Sequence, residues 1–253
     1  MKERRIPWSR RTISNTCPAD RRIIIRKRTY TEPVKNRLFV LLLALLLGCA
    51  RTVDAPAREP LPTAGRWYVI VDAGHGGFDA GASGTDTGVT ESDLNLKVAL
   101  LVQGALEDAG VRVLMTRTGE GALGDSKRED MALRGQLLQT EGADAAVSIH
   151  MNKFSDRRVQ GPMTYYQAGA EAGQSLAAAL IDSLTEALAL PGRLPNPGNN
   201  FVTRVPPCAA ALVECGFLSH PQEEQMLQDE GYQRTLAEAI ARGVLVYLEG
   251  QGT

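Results

Sequence analysis

Four side chains in this sequence have the residue types of a metal-dependent hydrolytic site. The chain has three histidines, and two of them follow apolar runs in polar, glycine-containing segments: His75 in Asp-Ala-Gly-His-Gly-Gly and His150 in Ser-Ile-His-Met-Asn. Glu91 follows a glycine-rich stretch, and Glu214 ends the apolar run 210–213. Two imidazoles and one of these carboxylates would form the three-ligand set of a catalytic Zn²⁺ site with one position open. The remaining carboxylate has the chemistry of a general base.

Each of these residues also has an ordinary structural interpretation. His75 could be a turn residue, His150 a hydrogen-bonded core histidine, and Glu91 a favourable anion at a helix N-terminus. Glu214 is harder to explain in this way, because a carboxylate that ends an apolar strand needs a partner. The functional interpretation therefore depends on whether the fold brings all four side chains together.

Apolar, β-branched runs alternate with amphipathic segments over most of the chain. This pattern predicts an α/β fold with a single twisted, mostly parallel sheet of about six strands and helices on both faces. Thr90 and Asp93 form a capping box, which places Glu91 in the first turn of a helix. We expect strands at 66–71, 111–115, 145–149, 163–166, 201–204 and 209–213, further helices at 128–141, 170–189, 221–228 and 232–248, and a loop at 191–198. Ligands bind at the carboxyl ends of such strands, where His75 and His150 are expected.

Two other enzymatic interpretations of these segments are weaker. A strand, a glycine-rich loop and a helix also form nucleotide sites, but residues 74–79 have no third glycine in register and the sequence has no Gly-Lys-Ser/Thr. A cysteine hydrolase would use Cys208 or Cys215 as its nucleophile. Cys215 directly follows Glu214, so their side chains point to opposite faces of a strand, and we interpret Cys215 as a buried apolar residue.

The charges of the chain divide it into two regions. Residues 1–37 contain 12 Lys and Arg against 3 acidic residues, and the remaining 216 residues contain 16 against 26. The acidity of the larger region argues against nucleic acid as a partner. The apolar run 38–47 is too short to span a bilayer and is typical of a secretion signal. We therefore predict a targeting segment at 1–50, a proline-rich linker at 51–65 and a catalytic domain at 66–249.

The targeting segment leaves two modes of membrane attachment open. Leu-Leu-Gly-Cys, which ends at Cys49, resembles the processing box of bacterial lipoproteins, in which the cysteine is lipidated. The alternative is an uncleaved signal anchor. Both predict an extracytoplasmic domain, attached to the cell membrane or in the cell envelope, which is the spore intermembrane space if the organism sporulates.

Four ordered motifs resemble those of the zinc-dependent N-acetylmuramoyl-L-alanine amidases of bacterial cell walls. They are residues 72–77 around His75, the helix start at Glu91, residues 148–152 around His150 and residues 212–219 around Glu214. The similarity covers about residues 67–249. It implies that His75, Glu91 and His150 bind one Zn²⁺ and that Glu214 is catalytic.

Within this family the sequence most resembles the spore-cortex, germination-related amidases, through residues 69–73, 127–134 and 214–223. That resemblance implies hydrolysis of the amide between N-acetylmuramic acid and L-alanine in peptidoglycan, as the first step toward muramic-δ-lactam. It also implies a cooperating deacetylase and, in some organisms, a lipoprotein activator. We expect Asn152 and Arg134 to donate hydrogen bonds to substrate, and an ordinary position on a helix surface is the alternative for Arg134. The alternatives are another zinc-dependent wall peptidase or deacetylase, or a zinc-dead wall-binding domain.

Two features depart from the family pattern. His220 stands where family members usually have asparagine, and we expect it to cap the helix that begins at Pro221. Only a short charged loop separates Phe154 from Gly161, where division-type members insert a long helix that blocks the zinc. The sequence therefore predicts a site that is open at this point.

Overall fold

The computed structural model describes residues 65–251, which form one six-stranded sheet and six helices. The strands are β1 (Tyr68–Ala73), β2 (Arg112–Met115), β3 (Ala145–Asn152), β4 (Met163–Gln167), β5 (Asn196–Gly198) and β6 (Ala209–Phe217). The helices are α1 (Glu91–Asp108), α2 (Lys127–Leu138), α3 (Glu171–Ala187), α4 (Phe201–Arg204), α5 (Pro221–Met226) and α6 (Glu230–Gly250). Between residues 65 and 251 no helix is both long and apolar enough to cross a membrane. The predicted targeting segment 1–50, with Cys49, and the linker up to residue 64 lie outside the described residues.

The strands lie in the order β2-β1-β3-β6-β4-β5, and within this sheet only the β4–β6 pair is antiparallel. This arrangement confirms the predicted α/β fold with a mostly parallel sheet. The register places Asp72 of β1 beside Ser148 of β3. It also places His150 of β3 beside Glu214 of β6. The carboxyl ends of three adjacent strands therefore meet at one edge of the sheet.

The two faces of the sheet differ in composition. One face of β1, β3 and β6 is apolar along its whole length and packs against α1, α3 and α6. The other begins with Ile70, Ala146 and Ala210, which pack with residues of α2 and α4. Because side chains alternate along a strand, His150 and Glu214 continue this second face toward the carboxyl edge. On this face, Ala146 and Ala210 lie in the core, and His150 and Glu214 follow four residues later on the same strands, at the site.

Residues 201–204, expected as a strand, form the short helix α4 instead. Phe201, Val202 and Val205 all pack against the second face of the sheet. An extended chain would send the side chains of Phe201 and Val202 to opposite sides, whereas a helical turn places all three on one side. Thr203 N donates a hydrogen bond to Asn200 O at 3.2 Å, which closes the turn. The remaining strand, β5, lies inside the segment expected as a loop, where it pairs with β4.

The helix caps agree with the sequence prediction, and one strand is longer than expected. Thr90 accepts a hydrogen bond from Asp93 N at the start of α1, and His220 Nδ1 accepts one from Glu223 N at the start of α5. Strand β3 continues to Asn152, so His150 lies within the strand rather than after it. The described segment 153–162 contains no helix, in agreement with the predicted short loop.

Candidate active site

His75, Glu91 and His150 converge at the carboxyl edge of the sheet. Their ligand atoms all lie within 4.8 Å of one another. His75 Nε2 lies 3.2 Å from Glu91 Oε1, and His150 Nδ1 lies 2.8 Å from the same oxygen. The two imidazole rings stand edge to face with their centroids 5.0 Å apart. The fold thus brings together side chains from the β1–α1 loop, the first turn of α1 and strand β3.

An unusual backbone turn directs His75 into this cluster. His75 has φ 61°, in the left-handed region that residues with a Cβ rarely adopt, and Gly76 follows with φ 134°. Two buried guanidinium groups hold the turn through its carbonyl oxygens: Arg134 Nη2 donates to His75 O at 2.9 Å, and Arg117 Nη2 donates to Gly74 O at 2.9 Å. These hydrogen bonds stabilise a backbone conformation that would otherwise be unfavourable.

The imidazole of His75 is oriented by a carboxylate on its far side. His75 Nδ1 lies 2.8 Å from Asp79 Oδ2, and Lys127 Nζ also contacts that oxygen. This contact leaves His75 Nε2 facing Glu91, and a carboxylate behind the ring is the usual companion of a metal-binding histidine. Burial lowers the pKa of His75, but hydrogen bonds and attraction to Glu91 and Asp79 outweigh it and raise the pKa above its ordinary value.

The two carboxylate oxygens of Glu91 have different partners. Oε2 accepts a hydrogen bond from Ala82 N at 2.8 Å. Oε1 faces the two histidines and also accepts longer hydrogen bonds from Asn95 Nδ2 at 3.3 Å and Met151 N at 3.4 Å. Burial acts to raise the pKa of Glu91, but the hydrogen bonds and charges of His150 and His75 hold it well below its usual range. Glu91 is 5% exposed and carries its negative charge in the interior of the site. A cation bound among these three residues would neutralise that charge.

The ring of His150 packs directly on the backbone of Gly74. A Cβ added to Gly74 would lie 2.3 Å from His150 Cε1 and 2.4 Å from its Nε2. Gly74 N donates to Ile149 O at 3.1 Å, so the loop is tied to the end of β3 at this point. A glycine at position 74 is therefore required by the close approach of the imidazole.

Glu214 lies beside His150 on the neighbouring strand and is partly exposed. Its Oε2 is buried and accepts no hydrogen bond from any residue between 65 and 251. Burial raises the pKa of Glu214 to about 7, helped by the negative charge of Glu91 and opposed by His150 and His75. A carboxyl group in this state can both accept and release a proton near neutral pH.

Asn152, expected on the substrate side, lies at the end of β3 beside this carboxylate. Asn152 is half-buried, and its Nδ2 and the hydroxyl of Tyr165 both contact Met163 Sδ, at 4.0 Å and 3.7 Å. Tyr165 also lies within electrostatic reach of Glu214. Sequence reasoning placed Tyr165 in β4 without a role. The alternation of side chains along β4 could have indicated that Tyr165 lies near the site. Tyr165 is on the same face of the strand as Met163, and Met163 pairs with Glu214.

Arg134, which was expected to bind substrate, borders the cavity beside the histidines but is almost fully buried. It is 2% exposed, and its guanidinium donates to Asp72 Oδ1 at 2.5 Å, to Ala73 O and His75 O at 2.9 Å, and to Asp130. These contacts occupy the whole guanidinium, because its donors are all directed at protein oxygens. Arg134 is thus a support beneath the site, and the sequence pattern could not distinguish this from an exposed position one helical turn away.

Sequence reasoning also missed Arg117 and Asp79. Arg117 is the second residue after the end of β2 and is 5% exposed, so a charged residue near a strand end was the available signal. Asp79 stands four residues after His75 in the glycine-rich loop. Both residues act through contacts with the β1–α1 loop and its ends, and these contacts depend on the tertiary position of that loop at the edge of the sheet.

A cavity of about 300 Å³ opens beside the histidines. His75 and His150 form one end, Met131, Phe201 and Leu212 supply apolar walls, and Lys127 and Asn200 supply polar groups. The cavity lies over the second face of the sheet, between α2 and α4. An extended substrate could therefore reach the histidines along this side.

The donor set fits a zinc ion. Two imidazole nitrogens and one carboxylate oxygen are ligands that zinc uses in hydrolytic enzymes. Zinc–nitrogen distances of roughly 2.0–2.1 Å imply donor separations of about 3.3 Å in a tetrahedron. The separation of 3.2 Å between Glu91 Oε1 and His75 Nε2 is close to this value, and the separation of 2.8 Å between Glu91 Oε1 and His150 Nδ1 is shorter.

Comparisons with known proteins agree with this fold and identify a family. A family profile described as N-acetylmuramoyl-L-alanine amidase matches residues 69–246. A germination-specific N-acetylmuramoyl-L-alanine amidase of Bacillus subtilis is 30% identical over 223 residues, which covers 85% of this chain and 93% of the relative. A probable cell wall amidase of Staphylococcus aureus, LytH, is 31% identical over 195 residues, or 75% of this chain and 61% of the relative.

A solved structure is similar as well. The CwlD amidase of Clostridioides difficile, in complex with the GerS lipoprotein, superposes with a TM-score of 0.70 and 29% identity. The match covers 73% of this chain and 99% of that chain. A family profile that spans most of the chain and a relative aligned over nearly its full length lead to one assignment. The chain belongs to the N-acetylmuramoyl-L-alanine amidase family.

Proposed function

We propose that this protein is a zinc-dependent amidase that cleaves the bond between N-acetylmuramic acid and L-alanine in peptidoglycan. The observation that carries the proposal is the convergence of His75, Glu91 and His150 within 4.8 Å, with Glu214 paired beside His150 on the next strand. Family membership supplies the substrate class, and these four side chains supply the chemistry.

His75, Glu91 and His150 would hold the zinc ion. When bound, zinc lowers the pKa of a coordinated water and polarises the substrate carbonyl as a Lewis acid. Asp79 keeps the His75 ring in the orientation in which Nε2 faces the other ligands. Ala82 N occupies one oxygen of Glu91 and leaves the other directed at the histidines.

Glu214 is the proposed general base and acid. Its carboxylate takes a proton from the attacking water as the new C–O bond forms at the lactyl carbonyl carbon. It returns this proton to the amide nitrogen as the C–N bond breaks, which releases a carboxylic acid on muramic acid and a free amino group on L-alanine. The burial that raises the pKa of Glu214 to about 7 suits it to both steps.

Asn152 is the proposed substrate-side hydrogen-bonding residue. It lies at the end of β3 and contacts Met163, which pairs with Glu214 on the neighbouring strand. The cavity between α2 and α4 would receive one arm of the substrate, with Phe201 and Met131 as apolar contacts. Arg134 is not part of this proposal, since its donors are used within the protein.

We further infer a role in cortex modification or germination, with muramic-δ-lactam as the eventual product and a separate deacetylase acting beside the amidase. The similarity to a germination-specific amidase and to an amidase that is bound to a lipoprotein supports this inference. A lipoprotein activator, membrane attachment through residues 38–49 and an extracytoplasmic location belong to the same proposal. The net negative charge of the catalytic region would not hold it on an anionic wall, so an anchor or partner would have to do so.

Mass spectrometry of muropeptides after digestion of purified peptidoglycan tests the proposed activity. Wild-type protein should release peptides with a free N-terminal L-alanine and leave the glycan strands intact. Cleavage within the stem peptide would indicate a peptidase, and loss of acetyl groups from intact strands would indicate a deacetylase. Wall binding without any cleavage would indicate a zinc-dead binding domain. Glu238→Gln, an exposed change on α6, is the matched control and should behave as wild type.

A further inference from the structure

Residues 82–90, which we name the ligand loop, lead directly into the metal ligand Glu91. The loop is closed by its own backbone: Gly84 N donates to Val89 O at 2.7 Å, and Glu91 N donates to Ala82 O at 2.8 Å. Ala82 N in turn donates to Glu91 Oε2 at 2.8 Å. The ligand loop therefore engages Glu91 Oε2, which helps to keep Glu91 Oε1 directed at the two histidines.

Glu224 of α5 is buried against the middle of this loop. It is 0% exposed, although it lies 137 residues beyond Thr87 in the sequence. Its Oε1 accepts hydrogen bonds from Thr87 N and Thr87 Oγ1, both at 2.7 Å, and its Oε2 accepts one from Asp86 N at 2.9 Å. A Cβ added to Gly84 would lie 2.2 Å from Glu224 Oε1, so the loop wraps closely around the carboxylate.

These contacts need a charged carboxylate. A buried carboxylate is expensive to place in the interior unless several donors satisfy it, and hydrogen bonds to an ionised acceptor are stronger than neutral ones. The amides of Asp86 and Thr87 and the Thr87 hydroxyl all point at Glu224. An amide side chain at position 224 would direct N–H groups at some of these donors, so it could not replace the carboxylate.

We propose that Glu224 is a positioning residue for the metal centre. It holds the ligand loop in the conformation in which Ala82 N binds Glu91 Oε2 and leaves Glu91 Oε1 facing the two histidines. Glu224 touches neither the ligand atoms nor the substrate cavity, and it acts through the loop alone. The role rests on the proposed zinc site, because it concerns how Glu91 is presented to that ion.

The neighbouring residue supplies a matched control. Glu223 is also a buried glutamate of α5, with 6% exposure, but its carboxylate accepts from Gly161 N at 2.8 Å and Phe217 N at 2.9 Å. It thus ties the start of β4 to the end of β6 and makes no hydrogen bond to residues 82–90 within the described chain. A change at Glu223 disturbs α5 and its surroundings to a similar degree without touching the ligand loop.

Zinc affinity, measured by competition with a chelator on the full chain, tests the proposal. Glu224→Gln should weaken zinc binding by about 10-fold to 100-fold, the range found for residues that orient metal ligands. Glu224→Asp, which keeps the charge on a shorter side chain, should recover part of that loss, and Glu223→Gln should stay within about threefold of wild type. Hydrogen exchange of the metal-free protein should show faster exchange at residues 82–90 in Glu224→Gln only.

Two results would overturn the role of Glu224. One is wild-type zinc affinity in a folded Glu224→Gln protein. The other is an equal loss in Glu223→Gln and Glu224→Gln, which would show a general effect of disturbing α5. Failure of the wild-type protein to bind zinc would instead refute the proposed function. Unchanged hydrogen exchange of residues 82–90 in Glu224→Gln would show that Glu224 does not hold the ligand loop.

Discussion

Gly74→Ala is a direct test of His150 as a metal ligand, because it adds a single methyl group against the ring. The added Cβ would lie 2.3 Å from His150 Cε1, 2.4 Å from Nε2 and 2.8 Å from Nδ1. Carbon atoms in contact normally stand roughly 3.5 Å apart, so the ring or the loop must move by about 1.2 Å. Gly74 is not in the left-handed region of φ, so alanine brings no backbone strain of its own.

The displacement sets the expected magnitude. Ligand distances in a metal site tolerate deviations of only about 0.2 Å, and a misplacement of about 1 Å costs roughly 100-fold in a positioned group. We therefore expect Gly74→Ala to weaken zinc binding by about 100-fold, or about 2.8 kcal/mol. Amidase activity at limiting zinc should fall in parallel, and excess zinc should restore part of it.

Chelator competition and the zinc content after dialysis measure this effect. Gly104→Ala is the control, since it lies in α1 and a Cβ there would meet nothing within 4 Å. That variant should bind zinc as wild type does and gain up to about 1 kcal/mol of stability from the better helix former. Wild-type zinc affinity in a folded Gly74→Ala protein would refute either the packing of His150 on Gly74 or its place among the ligands.

Further predictions concern the groups around the ligands. Glu214→Gln should keep full zinc content and lose about 10²-fold to 10⁴-fold in turnover, because the general base is gone; normal hydrolysis would disprove its role. Asp79→Asn should weaken zinc binding by about 10-fold to 100-fold, since His75 loses its orienting carboxylate; an unchanged affinity in the chelator assay would contradict this. Burial acts to raise the pKa of Asp72, but Arg134 and two hydroxyl groups hold it below its usual value of 3.8. The stability that Asp72 contributes is therefore present above that value and lost as the pH falls through the lower folded pKa. In urea unfolding between pH 7 and pH 3, wild type should lose more stability than Asp72→Asn, and parallel curves would refute the linkage.

Local patterns in the sequence were sufficient for most of the elements. The capping box at Thr90 and Asp93, the apolar runs of β1 and β3, and the cap at His220 depend on neighbouring residues, so they could be predicted without a fold. His75 and His150 could then be expected to lie close together, because the carboxyl ends of parallel strands meet at the same edge of a sheet.

The prediction of a strand at 201–204 was wrong because neighbouring residues could not decide the outcome. Phe201 and Val202 are β-branched or aromatic, which favours a strand, yet both must cover one face of the sheet and therefore require a helical turn. In the sequence, Arg134 has the pattern of an ordinary polar helix residue. Its buried position depends on a contact with Asp72, which is 62 residues away in sequence.

The sequence by itself determined the fold class and the family, and it singled out the four side chains that we propose as zinc ligands and general base, since these depend on periodicity, motif order and residue type. Only the tertiary structure decided how those side chains are held. Arg134 stabilises the turn at His75, where φ is positive, through a hydrogen bond to His75 O. The His150 ring packs on Gly74, and Glu224 accepts hydrogen bonds from the ligand loop. Each of these contacts joins residues that are far apart in sequence. Such contacts are set by three-dimensional packing, for which a single sequence carries no local signal.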